Sequence, residues 1–135
     1  MERDKFTQHF DLKQLTTTSS KYSNVPNDEQ ICNLRILSIK VLQPSRDFLG
    51  VPIFVNSGFR SRKVNESVGG AWNSEHTLGT AVDITTRNRA NNIRLYDYIR
   101  DNCTYNQLIN EYDYSWIHVS YTIHEPNKKQ QLKIG

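Results

Sequence analysis

The sequence predicts an α+β domain in which helices pack against a small antiparallel sheet. Apolar residues recur at helical spacing after residue 27 and again after residue 88. Runs of β-branched and aromatic residues at 51–61 and 79–86 indicate strands, and residues 105–123 alternate in two runs around a polar turn. At 135 residues the chain can bury one hydrophobic core but not two, so we expect a single domain.

The chain divides into an irregular N-terminal arm at residues 1–27, a folded domain at 28–124 and a C-terminal tail at 125–135. The arm is polar and rich in Thr, Ser and Lys, but it also contains Phe6 and Phe10. We expect the arm to pack one or two aromatic side chains onto the body. The tail is expected to be frayed or loosely docked.

The first long helix is predicted to begin after Asn27, whose side chain can cap the free N–H groups of the first turn. Gln30 follows three residues later, as in a capping box. Gly50 is expected to end the helix. Pro44 lies inside the helical pattern and should kink or split the helix near residue 43, since an interior proline costs about 3 kcal/mol.

The remaining elements follow from their local patterns. The strand at 51–61 ends in a Ser-Gly turn, and 79–86 is a second short strand. Residues 88–103 carry apolar side chains at helical spacing, which predicts a helix packed by one face. The two alternating runs in 105–123 predict a β-hairpin.

Composition and charge argue against several classes of partner. The net charge is only +3, and the basic residues are interleaved with acidic ones, so no nucleic-acid-binding surface stands out. No apolar run approaches the ~18 residues of a membrane span, and the first residues lack the apolar segment of a secretory signal. We therefore expect a monomer with no nucleic-acid or membrane partner, made in the cytoplasm and dependent on help to reach anything outside.

Cys32 and Cys103 are the only cysteines and lie 71 positions apart, with no CxxC spacing. This spacing argues against a thiolate metal site. Two buried free thiols are favoured over a disulfide, because free cysteine is among the most buried residue types. A disulfide between the two stays open at this point.

Two histidines and one aspartate form a candidate metal site. His76 and Asp83 lie seven positions apart, across a glycine-containing turn that enters a short apolar strand. His118 lies between Ile117 and Val119 in a predicted strand, so it points to the face opposite those two apolar residues. Two imidazoles, one carboxylate and an open fourth position are typical of catalytic zinc. A histidine bonded to an aspartate, with one unrelated histidine, is an equally open interpretation of the residues alone.

The hairpin's register indicates which acidic residue joins His118. A two-residue turn at Asp113 and Tyr114 would place Glu111 opposite Trp116, and it would put both on the same face as His118. Asp113 would then lie in the turn itself, where Asp is common for local reasons. A three-residue loop would reverse this conclusion.

Three blocks of the sequence carry a family resemblance: VNSGFRSRKVNESVGG, NSEHTLGTAVDI and QLINEYDYSWIHVSY. Together they resemble the zinc D-Ala-D-Ala carboxypeptidase family of murein peptidases, in particular its short bacterial and phage branch, over roughly residues 28–122. The resemblance implies an α+β fold shared with Hedgehog-type signalling domains. It also implies one zinc ion per chain and hydrolysis of peptide bonds that involve D-amino acids in peptidoglycan stems.

The resemblance assigns roles to individual residues. The residues that match the family's zinc ligands are His76, Asp83 and His118. Arg60 matches the arginine that contacts the substrate's carboxylate or scissile carbonyl, a task that suits its planar fork of donors. Ser74 also matches and could donate a hydrogen bond near the metal, although a plain turn serine is equally open. Trp116 could line the substrate cleft or simply pack in the hairpin.

The general base departs from the pattern of the better-known dipeptidases in this family. Their base precedes the last histidine by three residues, and that position is Ser115 here. In the short branch the pattern resembles QLIxE, which points to Glu111 and agrees with the register argument. Asp113 is the second candidate.

The sequence therefore predicts a zinc-dependent murein carboxypeptidase or endopeptidase with peptidoglycan stem peptides as substrate. The bond that it cuts is left open. The rival hypothesis is a wall-binding or signalling module that keeps the metal and has lost hydrolysis. Action on the cell wall implies a periplasmic or extracellular site, which a phage-encoded protein would reach at lysis or within the virion.

Overall fold

A computed structural model describes residues 4–135 as an α+β fold built around a five-stranded sheet. The strands are β1 (Phe54–Ser57), β2 (Ala81–Thr85), β3 (Gln107–Glu111), β4 (Trp116–Ser120) and β5 (Gln130–Ile134). The α-helices are α1 (Leu12–Thr16), α2 (Asp28–Leu37), α3 (Gln43–Leu49), α4 (Arg62–Ser67) and α5 (Arg89–Asn102). The predicted α+β class is confirmed.

The first long helix forms as the sequence predicts. Asn27 and Gln30 form a reciprocal capping box, with both hydrogen bonds at 2.8 Å. Gly50 ends α3 in the left-handed conformation. The interruption expected at Pro44 is a π-helical segment, Ser38–Leu42, between α2 and α3. Proline has no N–H to donate, and the wider π turn carries the chain past it without a full break.

The sheet is mixed, with strand order β1-β2-β4-β3-β5. The first four strands in that order pair antiparallel, as predicted, whereas β5 pairs parallel with β3. The expectation of a frayed or loosely docked tail is therefore wrong for residues 130–134. The alternating pattern of QQLKI is short and polar, and its pairing partner lies some twenty residues away, so no local signal announced this strand.

The hairpin β3–β4 has the predicted register, with Glu111 opposite Trp116 and Ile109 opposite His118. The turn itself spans residues 112–115, because the strands end at 111 and 116. Lengthening the turn from two residues to four does not change which face of the sheet each strand residue occupies. Glu111 therefore lies on the same face as His118, as predicted.

The hydrophobic core lies between the helices and one face of the sheet. That face contributes five fully buried side chains: Val82, Ile84, Leu108, Ile117 and Val119. Phe6 and Phe10 are also buried in this core, as expected for the arm, but the arm is not irregular throughout because it contains α1. Core packing leaves the other face of the sheet free to carry His118 and Asp83.

Two further expectations concern the cysteines and membranes. Both cysteines are free; Cys103 is buried, but Cys32 is exposed, so the expectation of two buried thiols is wrong for Cys32. Cys32 lies on the outer side of α2, away from the buried Leu34 and Leu37. Among residues 4–135, no helix has the length and apolar character needed to cross a membrane.

Candidate metal centre and catalytic site

His76, Asp83 and His118 come together on the open face of the sheet. Asp83 and His118 are directly paired residues of β2 and β4, so their side chains project side by side. His76 reaches them from a 3₁₀ turn, Glu75–Leu78, that leads into β2. Each residue offers one ligand atom, and the three atoms lie within 4.8 Å of one another. The predicted trio thus shares one centre.

The geometry of this cluster suits a tetrahedral metal ion. Asp83 Oδ1 lies 2.9 Å from His118 Nδ1 and 3.4 Å from His76 Nε2. Ligand atoms about 2.1 Å from a tetrahedral zinc ion are roughly 3.4 Å apart, so only a small outward movement would seat the ion. Two nitrogens and one anionic oxygen are donors that zinc accepts readily. The residues present therefore fit a zinc ion.

The backbone at Gly58 fixes the orientation of His76. The Nδ1–H of His76 donates to the Gly58 carbonyl oxygen over 2.8 Å, which leaves Nε2 with its lone pair directed toward Asp83. Such a hydrogen bond to the second ring nitrogen sets the tautomer of a metal-binding histidine. The ring is 5 % exposed, so burial restricts it further.

Asp83 is held in its charged form. Burial alone would raise the pKa of this carboxyl, but the hydrogen bond from His118 and the closeness of both imidazoles hold the pKa well below its ordinary value. The carboxylate is thus ready to bind a cation without losing a proton first.

Arg60 lies beside Asp83, on the side of the cluster nearer β1. Its Nη2 is 3.6 Å from Asp83 Oδ2, and its Nε donates to Ser57 Oγ over 2.9 Å. Its Nη1 donates to the buried Asn65 at 3.4 Å, and its backbone N–H donates to the carbonyl of His76. The guanidinium is therefore fixed at the edge of the metal cluster, with 18 % of the side chain exposed.

Glu111 lies on the other side of the cluster, on β3. Its Oε2 accepts a hydrogen bond from Trp116 Nε1 at 3.1 Å. Burial first, and then repulsion from Asp83, raise the pKa of Glu111 above its ordinary value. A carboxylate with a raised pKa beside a candidate metal site is suited to act as a general base.

Asp113, the second candidate for the base, lies away from the cluster. It forms an ion pair with Arg89 at 2.8 Å in the hairpin turn, and its side chain is 70 % exposed. Arg89 lowers the pKa of Asp113, the opposite of what a general base near neutral pH needs. The geometry favours Glu111.

The comparison with known protein families agrees with this geometry. The family described as Peptidase M15 matches residues 8–120, which is most of the chain. The chain belongs to the peptidase M15 family. It is therefore a metallopeptidase of a zinc-dependent family, and its His76, Asp83 and His118 form a possible zinc site. A comparison with curated proteins gave no match.

Ser74 has a local role in this M15 peptidase. Its hydroxyl caps the 3₁₀ turn by accepting a hydrogen bond from the backbone N–H of His76 at 3.2 Å. Its carbonyl accepts from the hydroxyl of Thr77 at 2.6 Å. The structure thus shows Ser74 shaping the turn that presents His76, and its predicted contact with substrate stays a prediction.

Helix α2 supports the same turn from behind, a contact that sequence reasoning missed. Gln30 Nε2 donates to the carbonyl of Thr77, and Asn33 Nδ2 donates to that of Leu78. Gly79 follows in the left-handed conformation, where a Cβ would lie 2.7 Å from the Gln30 carbonyl oxygen. The sequence indicates only a capping role for Gln30, because nothing in it shows that α2 lies against this turn of the M15 peptidase.

Ser57 and Asn65 are the other residues that the sequence did not identify as part of the site. Ser57 lies in the SGFR block and could have been suspected from its spacing to Arg60. Asn65 is completely buried, and its Nδ2 also donates to the Ala71 carbonyl over 2.8 Å. Its role depends on the return of the 70–72 loop, which a sequence pattern cannot show.

Proposed function

We propose that this M15 metallopeptidase hydrolyses peptide bonds that involve D-amino acids in peptidoglycan stem peptides or cross-links, with one zinc ion per chain. The observation that carries the proposal is the order of groups across the open face of the sheet. Arg60, the cluster of His76, Asp83 and His118, and then Glu111 follow one another from the β1 side to the β3 side. A peptide bond laid across the sheet would meet them in turn.

Each group has a chemical task in this proposal. His76, Asp83 and His118 would hold zinc, which when bound supplies a Lewis acid that acidifies water and polarises a carbonyl. Glu111 accepts a proton from the attacking water. As the water oxygen bonds to the carbonyl carbon and the C–N bond breaks, Glu111 passes the proton to the leaving nitrogen. Arg60 binds the substrate's carboxylate or stabilises the developing negative charge on the carbonyl oxygen.

The hydrogen bond from Trp116 gives the two oxygens of Glu111 different tasks. Oε2 accepts the indole N–H, so Oε1 is left to receive the proton from water. Trp116 and Glu111 are directly opposed across the hairpin, which fixes this pairing by register. Trp116 is half-buried on the same face and can also contact substrate, as predicted.

The D-amino-acid substrate is supported by family membership and by the SGFR, SEHTLGTAVDI and WIHVS blocks. A peptidoglycan substrate places the action of the protein at the cell wall, in the periplasm or outside the cell. Release of a phage-encoded enzyme at lysis, or its packing into a virion, is the route that we propose. No nucleic-acid or membrane partner is needed for this activity, and a monomer suffices.

The decisive experiment is mass spectrometry of muropeptides from purified peptidoglycan before and after incubation with the zinc-loaded protein. We expect new products cleaved next to a D-amino acid. Glu111→Gln should lower the rate by at least about 100-fold, in the range that general-base catalysis contributes, while one zinc ion per chain is retained. Asp113→Asn is the matched control and should keep most of the activity.

Two outcomes would contradict the proposal in different ways. Full activity in Glu111→Gln, with loss in Asp113→Asn, would move the base to Asp113. A wild-type protein that binds one zinc ion but releases no product would favour the non-catalytic wall-binding or signalling module.

A further inference from the structure

The open face of the sheet continues past Glu111 onto the last strand. In the parallel pairing of β3 with β5, Ile109 lies beside Leu132 and Glu111 lies beside Ile134. Paired residues of adjacent strands project to the same face of a sheet. Leu132 and Ile134 therefore share the face that carries the metal cluster.

The alternation of β5 is the reverse of what a surface strand normally shows. Gln131 faces the helices, where its Oε1 accepts a hydrogen bond from the Tyr96 hydroxyl at 3.5 Å. The apolar residues Leu132 and Ile134 point the other way and are 38 % and 42 % exposed. All five residues of β5 are exposed, but a strand packed by one face usually turns its apolar side chains toward the core. Here they are placed at the open face instead.

Two aromatic residues connect this strand to the catalytic groups. Tyr112 is 54 % exposed, and its ring lies against that of Trp116 with centroids 5.1 Å apart. The backbone N–H of Tyr112 donates to the Ile134 carbonyl over 2.8 Å, so the ring lies at the end of β5. In the register of the sheet Glu111 lies between Trp116 and Ile134, and Tyr112 contacts both of them. We name the group of Tyr112, Trp116, Leu132 and Ile134 the β5 ledge.

The place of Glu111 determines which part of a substrate would cover the ledge. Glu111 must come within hydrogen-bond distance of the leaving nitrogen to deliver its proton. The nitrogen of the scissile bond therefore lies toward β3, and the carbonyl lies toward Arg60 and β1. In this orientation Arg60 takes the second of its two proposed roles and stabilises the charge on the carbonyl oxygen. Residues joined to that nitrogen continue over β5, about 10 Å beyond β4 at the usual strand spacing.

We propose that the β5 ledge binds the amine side of the substrate, so that the enzyme prefers bonds whose leaving group extends beyond a single residue. Such bonds are internal bonds and cross-links, which makes the protein an endopeptidase rather than a carboxypeptidase. The inference rests on the proposed peptidase function and specifies its substrate. The apolar β5 ledge stabilises the binding of a longer leaving group. A carboxypeptidase instead needs a cation at this place to bind the terminal carboxylate. The four residues of the ledge include no cation, and Lys133, which lies between Leu132 and Ile134, pairs with Asn110 and so alternates to the opposite face of the sheet.

The test compares two stem peptides with the same acyl side. One ends in a single D-alanine after the scissile bond, and the other continues into a cross-linked stem. We expect kcat/KM to be about tenfold higher for the cross-linked peptide, because contacts remote from the reacting bond contribute to transition-state binding. The double variant Leu132→Thr/Ile134→Thr should bring this ratio close to one, while threonine preserves the strand.

Ile39→Thr is the matched control, because Ile39 is 50 % exposed on the π-helical segment and lies outside the site. It should leave the ratio unchanged. Equal kcat/KM for the two peptides in wild type, or an unchanged ratio in the double variant, would contradict substrate binding by the β5 ledge. Neither result would contradict the proposed peptidase function.

A failure of the peptidase function is recognised separately, as no cleavage of either peptide by the zinc-loaded wild type. The ledge is then judged by the binding of the uncleaved cross-linked peptide. A Kd about tenfold weaker in the double variant than in wild type would support the ledge, and equal Kd values would overturn it.

Discussion

The Nδ1 atom of His76 lies 2.8 Å from the carbonyl oxygen of Gly58. Gly58 in turn lies directly against α1: a Cβ built on it would be too close to the carbonyl oxygen of Leu15 for any side chain to fit, and Phe59 N–H donates to that same oxygen over 2.8 Å. The N-terminal arm, the β1 segment and the metal cluster are thus connected through one glycine. The backbone that orients the His76 imidazole has no room for a side chain.

Gly58→Ala should therefore weaken both the fold and the metal site. The new methyl would displace the 58–59 backbone from Leu15, at a cost of about 1–3 kcal/mol in the free energy of unfolding. Because the same backbone carries the acceptor for His76, zinc affinity should fall by about 10-fold to 100-fold. Urea unfolding and zinc titration measure the two effects.

Gly69→Ala is the control that separates the effect of backbone strain from the effect of contact with His76. Gly69 has a positive φ, but nothing lies within 4 Å of the point that a Cβ would occupy there, and the residue does not contact the cluster. The variant should lose about 1 kcal/mol of stability and keep its zinc affinity. Equal losses of zinc affinity in the two variants would show that Gly58 has no special part in orienting His76.

Glu111 and Asp113 should have opposite effects on the stability of the metal-free protein. Burial raises the pKa of Glu111, so its ionised form costs stability once the pH exceeds the unfolded-state pKa. Glu111→Gln should stabilise the protein at pH 7, and this gain should vanish when both states are protonated, below about pH 4. Ionisation of Glu111, which the proposed function requires, thus lowers the stability of the fold.

Asp113→Asn should show the reverse. Arg89 lowers the pKa of Asp113, so the ion pair contributes stability above the unfolded pKa and loses it as the pH falls through the folded pKa. The variant should be slightly less stable than wild type at pH 7 and equal to it in acid. Asparagine tolerates the positive φ of 54° at this position, so the backbone is preserved. Unfolding midpoints from pH 3 to 8 decide both cases, and the same sign for the two variants would contradict the assignment.

The arrangement of His76, Asp83 and His118 could be predicted because it depends on residue types close in the sequence and on the alternation of side chains along the strands. Residue types and the alternation around His118 fix its direction, and any even-numbered turn places Glu111 on the same face. The actual turn is longer than expected, with Tyr112, Asp113 and Tyr114 all at positive φ, yet it leaves the register unchanged. Such an unfavourable backbone has no sequence signature without glycine.

The unpredicted features depend on contacts between distant segments. Strand β5 forms because β3 has a free edge, which the residues of β5 do not reveal. The contacts of Gln30 with the His76 turn, and of Asn65 with Arg60, arise from tertiary packing of helices whose relative positions cannot be obtained from periodicity. The sequence thus predicted the candidate site, and the residues that support it could be found only in the structure.

The two thiols should react at very different rates. Cys32 is exposed, whereas burial raises the pKa of the Cys103 thiol and shields its sulfur. The thiolate is the reactive form, so a disulfide reagent at pH 8 should modify Cys32 at least about 100-fold faster than Cys103. Cys32→Ser should remove the fast phase alone, as followed by absorbance and mass spectrometry. Two fast phases in the folded protein would mean that Cys103 is accessible.

Asn92 should be the most sensitive polar position behind the hairpin turn. It is buried on α5, donates to the Tyr114 carbonyl over 2.8 Å and accepts from the backbone N–H of Thr86 over 2.8 Å. Asn92→Ala leaves both backbone groups without these partners, which should cost about 2–4 kcal/mol of stability.

The neighbouring Asn91→Ala is the matched control, because the Asn91 side chain accepts a hydrogen bond from Arg94 at the surface. Its backbone N–H, which donates to Asn88 Oδ1, is kept in alanine. The loss should therefore cost about 1 kcal/mol or less. The Asn92 variant should also lower kcat, since the turn that it braces directly follows Glu111, while zinc affinity stays close to that of wild type. Urea unfolding, zinc titration and peptide hydrolysis test the three statements on one preparation. A stable Asn92→Ala protein with lowered zinc affinity would place its influence at the metal cluster instead of the hairpin turn.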